Sequence, residues 1–208
     1  MIRKEPFVFG SIIVSFCVGA CISPSDRFNE FVEAVPTEDS TMLLGCGDME
    51  LPDFSGEFYM VVEPNIAAGT FIEFIATVSL DLSGEEATAD FSFQPLCVQG
   101  VCGDRLQMPE GDPLVQEGVV INNECQFEVP FEDVFVEGDA NPVSGSPIEG
   151  DVQVVGTVQS DEFFCGEFNG ILTAPIPNLD LAGSTFGAIA IEPGTIGQDL
   201  PERVFTCP

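Results

Sequence analysis

The chain has 208 residues, with 35 acidic and five basic side chains, no histidine and a formal charge of −30. Such a surface repels phosphate, which excludes nucleic-acid binding through clustered Lys and Arg, and without imidazole there is no Ser-His-Asp or Cys-His machinery and no histidine metal site. Disorder is excluded as well, because 45% of the residues are hydrophobic, 19 of them Phe, enough apolar surface to offset the entropy of ordering.

The first predicted element is a secretory leader. Arg3 and Lys4 precede an apolar run from Phe7 that closes at Val18-Gly19-Ala20-Cys21, too short to span a membrane. The closing residues resemble the lipobox of bacterial lipoproteins: an aliphatic residue, two small residues and a cysteine. That resemblance, which covers only the first 21 residues, implies cleavage before Cys21 by signal peptidase II, a diacylglyceryl group on Cys21 and an acylated amino terminus. Ile22 rather than Asp after the cysteine implies, by the sorting rule of enteric bacteria, an outer-membrane destination. The competing reading, an ordinary signal-peptidase site, would leave Cys21 as a lone secreted thiol. Acyl chains contribute about 0.8 kcal/mol per buried methylene, so a lipidated Cys21 is a durable anchor and makes the membrane a partner. Losing residues 1–20 removes two cations and one acid, so the mature charge is 3 − 34 = −31 with no lysine. Salt or divalent cations are expected to stabilise the chain weakly by screening its self-repulsion.

Residues 21–45 read as a lipidated tether. Pro24-Ser25-Asp26 supplies a helix start, and Phe28, Phe31, Val32 and Val35 share one helical face before Pro36, predicting a short amphipathic helix. Its stripe is expected to dock on the following domain, since Glu30, Glu33 and the scarcity of basic residues disfavour the membrane surface.

From Cys46 the period becomes two, and residues 46–208 read as a single domain. Gly56–Glu63 is the first predicted strand. Ile72, Phe74, Ala76, Val78, Leu80 and Leu82 share a face opposite Glu73, Thr77, Ser79 and Asp81, and after Ser83-Gly84-Glu85-Glu86 the alternation resumes at Ala87, Ala89, Phe91 and Phe93, predicting a hairpin. Leu114–Ile121 and the segment carrying Cys125, Phe127, Val129 and Phe131 predict a second pair, joined by Asn122-Asn123, which tolerate left-handed backbone. Val152, Val154 and Val158 mark another strand, Phe163–Thr173 the next, and Thr185–Ile191 the last. About eight strands without an intervening helix give an all-β fold, an antiparallel β-sandwich or a closed β-barrel, with the sandwich placed first. A lipocalin-like barrel fits the size and meander order, although the Trp usual in lipocalins is absent; an outer-membrane barrel is disfavoured by acids on the polar strand faces. Phe54-Ser55-Gly56-Glu57-Phe58 and Phe164-Cys165-Gly166-Glu167-Phe168 echo each other, each followed by Pro-Asn and Ala-Gly, which raises either a pseudo-twofold duplication or convergent turn chemistry.

With Cys17 discarded and Cys21 lipidated, Cys46, Cys97, Cys102, Cys125, Cys165 and Cys207 remain, an even set that reads as three disulfides with 15 possible pairings. Only Cys97–Cys102 is suggested locally, across Val98-Gln99-Gly100-Val101, and zinc is disfavoured without histidine or a second close cysteine pair.

Chemical motifs are mostly absent. No phosphate loop, GxSxG elbow or HExxH helix occurs. Asp53-Phe54-Ser55-Gly56 and Asp81-Leu82-Ser83-Gly84 depart from the aspartic-protease loop by one extra residue. Oxygen ligands for calcium collect at Glu137-Gly138-Asp139-Ala140-Asn141 and Gly47-Asp48-Met49-Glu50, but neither has EF-hand spacing, so solvated acidic loops are the simpler reading. The expectation is a non-enzymatic, cofactor-free interaction lipoprotein meeting a protein or glycan, with a carrier of an apolar small molecule or lipid as the alternative. The two differ in whether Phe74, Phe91, Phe93, Phe127 and Phe131 fill the interior or leave a hole.

Overall fold

The computed structural model describes residues 45–46, 49–98, 102 and 106–208. The leader, Cys21 and the helix expected before Pro36 lie outside them. Eight strands carry the fold: β1 Gly56–Glu63, β2 Ile72–Asp81, β3 Ala87–Pro95, β4 Leu114–Ile121, β5 Gln126–Val136, β6 Ile148–Ser160, β7 Phe163–Ala174 and β8 Ser184–Ile191.

Their spatial order is β4-β3-β2-β1-β8-β7-β6-β5, all antiparallel. Except for β4 and β5, chain neighbours are therefore sheet neighbours, and β8 returns to β1, pairing Phe186 with Val62 and Ile189 with Tyr59. The result is a nearly closed up-and-down barrel, which corrects the preference for a sandwich. The reason is that one twisted meander curls until its first and last strands meet, so the alternating apolar face becomes the lumen instead of requiring a second layer.

The seam lies between β4 and β5. These strands share the expected tight turn, in which the Asn122 amide donates to the Gln126 carbonyl (2.9 Å) and the Cys125 amide to the Asn122 carbonyl (3.0 Å). Cys125, at φ 58°, takes the left-handed conformation expected of the asparagines, while the Asn122 side chain accepts from the amides of Glu124 and Gln126. Past the turn no ladder joins the two fully described strands, so the predicted pair is a splayed hairpin. Irregularities on both sides of the seam account for it: the β3/β4 register shifts between Ala89 and Phe91, and the β5/β6 register between Phe131 and Val134, where Asp133 has φ 52°. Bulges of this kind bend a strand away from its neighbour.

One end of the lumen is solid. Phe54, Phe58, Phe91, Phe127 and Phe164 are each no more than 1% exposed, with ring centroids 4.9 Å apart for Phe91–Phe127 and Phe58–Phe164, and 5.7 Å for Phe127–Phe164. Phe127 is admitted by Gly156, its cross-strand partner, because a Cβ there would collide with the Phe127 ring.

A second apolar cluster sits on the outer wall. Tyr59, Val61, Ile75 and Leu96 are buried beneath Phe71, Ile191, Leu200 and Phe205, because the chain after β8 folds back over β1 and β2. This explains why β1 reads as a continuous apolar run: its middle is buried on both faces. Cys207 in this returning segment is disulfide-bonded to Cys165 on β7, and Cys97 to Cys102 as the local spacing suggested. Cys125 is also disulfide-bonded; the side chain of Cys46 lies outside the described set.

The internal echo takes a different form from a twofold. β1 and β7 both flank β8, so the echoed segments run in the same direction and are related by a two-strand step around the barrel. A close backbone approach holds for Gly166, where a Cβ would strike the Val155 carbonyl, but Gly56 has open space around it.

Candidate functional site

The other end of the lumen is open. Three loops surround it, 64–71 after β1, 137–147 after β5 and 175–183 after β7, and each carries an apolar residue within two positions of a proline: Pro64-Asn65-Ile66, Asn141-Pro142-Val143 and Pro175-Ile176-Pro177. Ile66, Val143 and Ile176 are 43%, 42% and 54% exposed. They rim a cavity of about 70 Å³ whose walls include Val62, Phe74, Val134, Val152, Leu172 and Leu181. Leu114 and Val136 line it where β4 and β5 diverge, so the open seam forms one side of the mouth.

Hydrogen bonds between two of the loops and within the third fix the rim. The Asn65 amide donates to Ser184 Oγ (3.0 Å), and the Asn65 side-chain amide to the Ala182 carbonyl (2.6 Å). Ser184 Oγ in turn donates to the Leu181 carbonyl (2.7 Å). Asn141 Nδ2 donates to Ser144 Oγ and to the Ser146 carbonyl, while its Oδ1 accepts from the Val143 and Ser144 amides. Asn141 and Ser184, the buried polar residues that line the mouth, are thus consumed in holding the loops. The space inside therefore presents hydrocarbon.

The Cys97–Cys102 disulfide and Val98 link the chain just after β3 to the residues that follow β5. Cys97 exchanges backbone hydrogen bonds with Gln107 and Met108, and the Val98 amide donates to the Asp139 carbonyl (3.0 Å) beyond the end of β5. Cys97, Cys102 and Asp139 place three potential ligand atoms within 4.8 Å, but the sulfurs are joined as a disulfide and offer no thiolate to a metal. Of the suggested calcium loops, 137–141 directs Asn141 inward to bond its own loop; in the other, residues 47 and 48 lie outside the described set.

A polar cluster lies under the returning C-terminal segment. Glu73, 2% exposed, receives Arg203 Nη2 at 2.6 Å and Nε at 2.7 Å on one oxygen, and Gln107 Nε2 at 2.8 Å on the other. Gln107 Nε2 also reaches the Tyr59 hydroxyl at 3.1 Å. Burial, then the adjacent Glu73 charge, pushes the Tyr59 phenol well above its ordinary range. Sequence alternation places Glu73 on the solvent face and misses this cluster; the available clue is Ile75 and Phe71 at the same parity, which make that face apolar. Arg203 also lies 5.3 Å over the Phe71 ring, so the cluster reads as the fastening of the strap.

The two Asp-x-Ser segments have a structural explanation. Ser55 and Ser83 amides donate to Asp53 and Asp81 carboxylates at 3.1 and 2.8 Å, and these hydrogen bonds, side-chain ones first, hold both carboxyls below their ordinary pKa. They are turn-forming contacts.

Comparison with protein-family models, curated proteins and solved structures finds no match.

Proposed function

We propose that this chain is an exported, membrane-anchored and non-catalytic barrel that binds an apolar group in its open mouth. The observation that carries the reading is the hydrocarbon-lined cavity at one end of a lumen otherwise packed with phenylalanine. Phe74, Phe91, Phe93, Phe127 and Phe131 are all buried and fill most of the interior, so the hole that remains is local. About 70 Å³ accepts a short run of methylenes or part of a ring, well below the roughly 300–1,000 Å³ of sites that enclose a drug-sized ligand. The carrier reading is therefore favoured over display of an exposed sheet face, in the restricted form of a mouth that takes the end of a ligand. The rim supports it: three isolated apolar side chains held by hydrogen-bonded loops extend the lining outward to the part of the ligand that stays in water.

The test is displacement of N-phenyl-1-naphthylamine, an uncharged fluorescent probe, by 1-decanol. Val152→Phe fills the cavity from β6 and is expected to abolish both probe binding and displacement, whereas Val115→Phe on the exposed outer wall leaves them unchanged. Equal binding by the two variants, with both folded by circular dichroism, would refute a site in the mouth. The anchor is tested by the intact mass of membrane-extracted protein beside Cys21→Ser. A mass starting at Cys21 with added acyl groups, lost in the variant, supports anchoring; an unmodified Cys21 overturns it.

A further inference from the structure

We propose that the mouth end of the barrel docks on a zwitterionic lipid surface, from which the apolar ligand enters the cavity without crossing water. The proposal rests on the mouth being a binding site and names the source of its ligand. The rim side chains Ile66, Val143 and Ile176 all line the cavity, and all three are exposed. The outer wall at the same level is apolar too. Successive side chains of a strand point to opposite faces, so beside the lining residues Leu114, Val134 and Leu172 stand Val115, Phe135 and Ile171, which point outward and are exposed. Rim and wall together hold six of the nine exposed large apolar side chains among the described residues, whereas the phenylalanine end has Leu82 and Val120. Hydrocarbon on both sides of one rim is costly in water and gains by entering the apolar boundary of a membrane.

The anchor proposed at Cys21 supplies the membrane. The stretch 22–45 reaches about 80 Å at full extension, while the longest strand, β6 with 13 residues, spans about 43 Å. Either end of the barrel can therefore meet the surface that holds the anchor, and the mouth end has more hydrocarbon to offer it. Insertion is shallow. Past their shared turn β4 and β5 have no strand partner across the seam, and amide and carbonyl groups on those edges would go unsatisfied in the bilayer core. The contact therefore stays at the level of the head groups, with the side chains of the rim reaching the acyl boundary. The strongly negative mature chain opposes an anionic leaflet. A zwitterionic surface imposes no such cost.

The experiment follows hydrogen exchange by mass spectrometry in the whole membrane-extracted protein placed on phosphatidylcholine vesicles, beside the double variant Phe135→Ser/Ile171→Ser. Loops 64–71 and 175–183 are expected to exchange about tenfold more slowly in the parent than in the variant, with the 82–86 turn at the other end equal in both. Replacing half the lipid with phosphatidylglycerol is expected to cut the slowing below about threefold at low ionic strength, and salt near 1 M to restore it. Neither Phe135 nor Ile171 lines the cavity, so 1-decanol should displace the probe equally from both proteins in solution. Equal exchange of the rim loops in the two proteins, protection of 82–86 in their place, or a protein that does not sediment with the vesicles overturns the docking and leaves the mouth standing. Slowing that is greater on the anionic mixture overturns the zwitterionic surface. Failure of decanol to displace the probe from either protein overturns the mouth reading itself.

Discussion

Removing the guanidinium at position 203 isolates how the outer strap is held. In Arg203→Gln the Glu73 carboxylate stays in place, 3% exposed, with Gln107 still donating to one oxygen but nothing charged facing the other. Breaking a fully buried pair from one side costs about 3–5 kcal/mol, while exposed pairs are worth about 0–1 kcal/mol. Arg203 itself is 38% exposed, so water already screens part of the interaction. Phe205 also remains on Phe71 at 5.0 Å, and Cys207 remains tied to Cys165. The expected loss is therefore about 2 kcal/mol, measured by urea unfolding followed by circular dichroism with the disulfides intact. Glu73→Gln/Arg203→Gln is expected to recover part of it, because the penalty lies in the stranded carboxylate and not in the missing attraction. A single variant within about 0.5 kcal/mol of the parent, or a double variant no better than the single, refutes the claim that Glu73 is a desolvated charge requiring its partner.

Three further outcomes follow from the same geometry. Tyr59 is the sole tyrosine and there is no tryptophan, so absorbance at 295 nm titrates one group. Its folded pKa lies above the unfolded value near 10, so its contribution to stability is intact below about pH 10 and is lost as pH rises above it; phenolate should appear only with unfolding, and a reversible midpoint near 10 in folded protein contradicts its burial. Gly156→Ala drives a Cβ into the Phe127 ring and should cost about 1–3 kcal/mol by thermal unfolding, with an unchanged Tm refuting the packed plug. Replacing Cys165 and Cys207 with serine opens a 42-residue separation and should cost about 4 kcal/mol on loop entropy, against about 2 for the 5-residue separation of Cys97 and Cys102; chemical denaturation showing the reverse order would mean that the seam, and not the strap, limits stability.

The strand pattern was legible because most strands touch one apolar and one aqueous medium, and a period of two follows directly. Ala87–Pro95 alternates along its length between buried and less buried positions, and Gly56–Glu63 was bounded correctly although it is buried on both faces. What alternation could not supply was closure, because sandwich and barrel strands present the same one-sided pattern and the difference lies in whether β8 meets β1. Long-range polar pairing was illegible for a related reason. Glu73 and Arg203 are 130 positions apart, and an acid among so many acids carries no mark of burial. The Cys97–Cys102 pair was legible because a short turn brings its ends together; Cys165–Cys207 was not. The mouth left a faint trace in three loops that each set an aliphatic side chain within two positions of a proline, an arrangement more costly to expose than the serine and glycine that loops otherwise prefer.

The division of labour between the barrel's two ends has a physical basis. A lumen of eight strands is just wide enough for side chains to fill it, and here the phenylalanines do so at the end where Phe54, Phe91, Phe127 and Phe164 meet. Such packing fixes the strand register there, with Gly156 and Gly166 facing each other to make room. The opposite end is lined mostly by Val, Ile and Leu, with Phe74 and Phe168, and by hydrogen-bonded loops, so its shape depends less on core packing and more on Asn65, Asn141 and Ser184. Enlarging or filling that end should therefore change ligand binding more than it changes the fold. The same substitution in the phenylalanine end should do the reverse, which is why Val152→Phe and Gly156→Ala, four residues apart on β6, are expected to separate binding from stability.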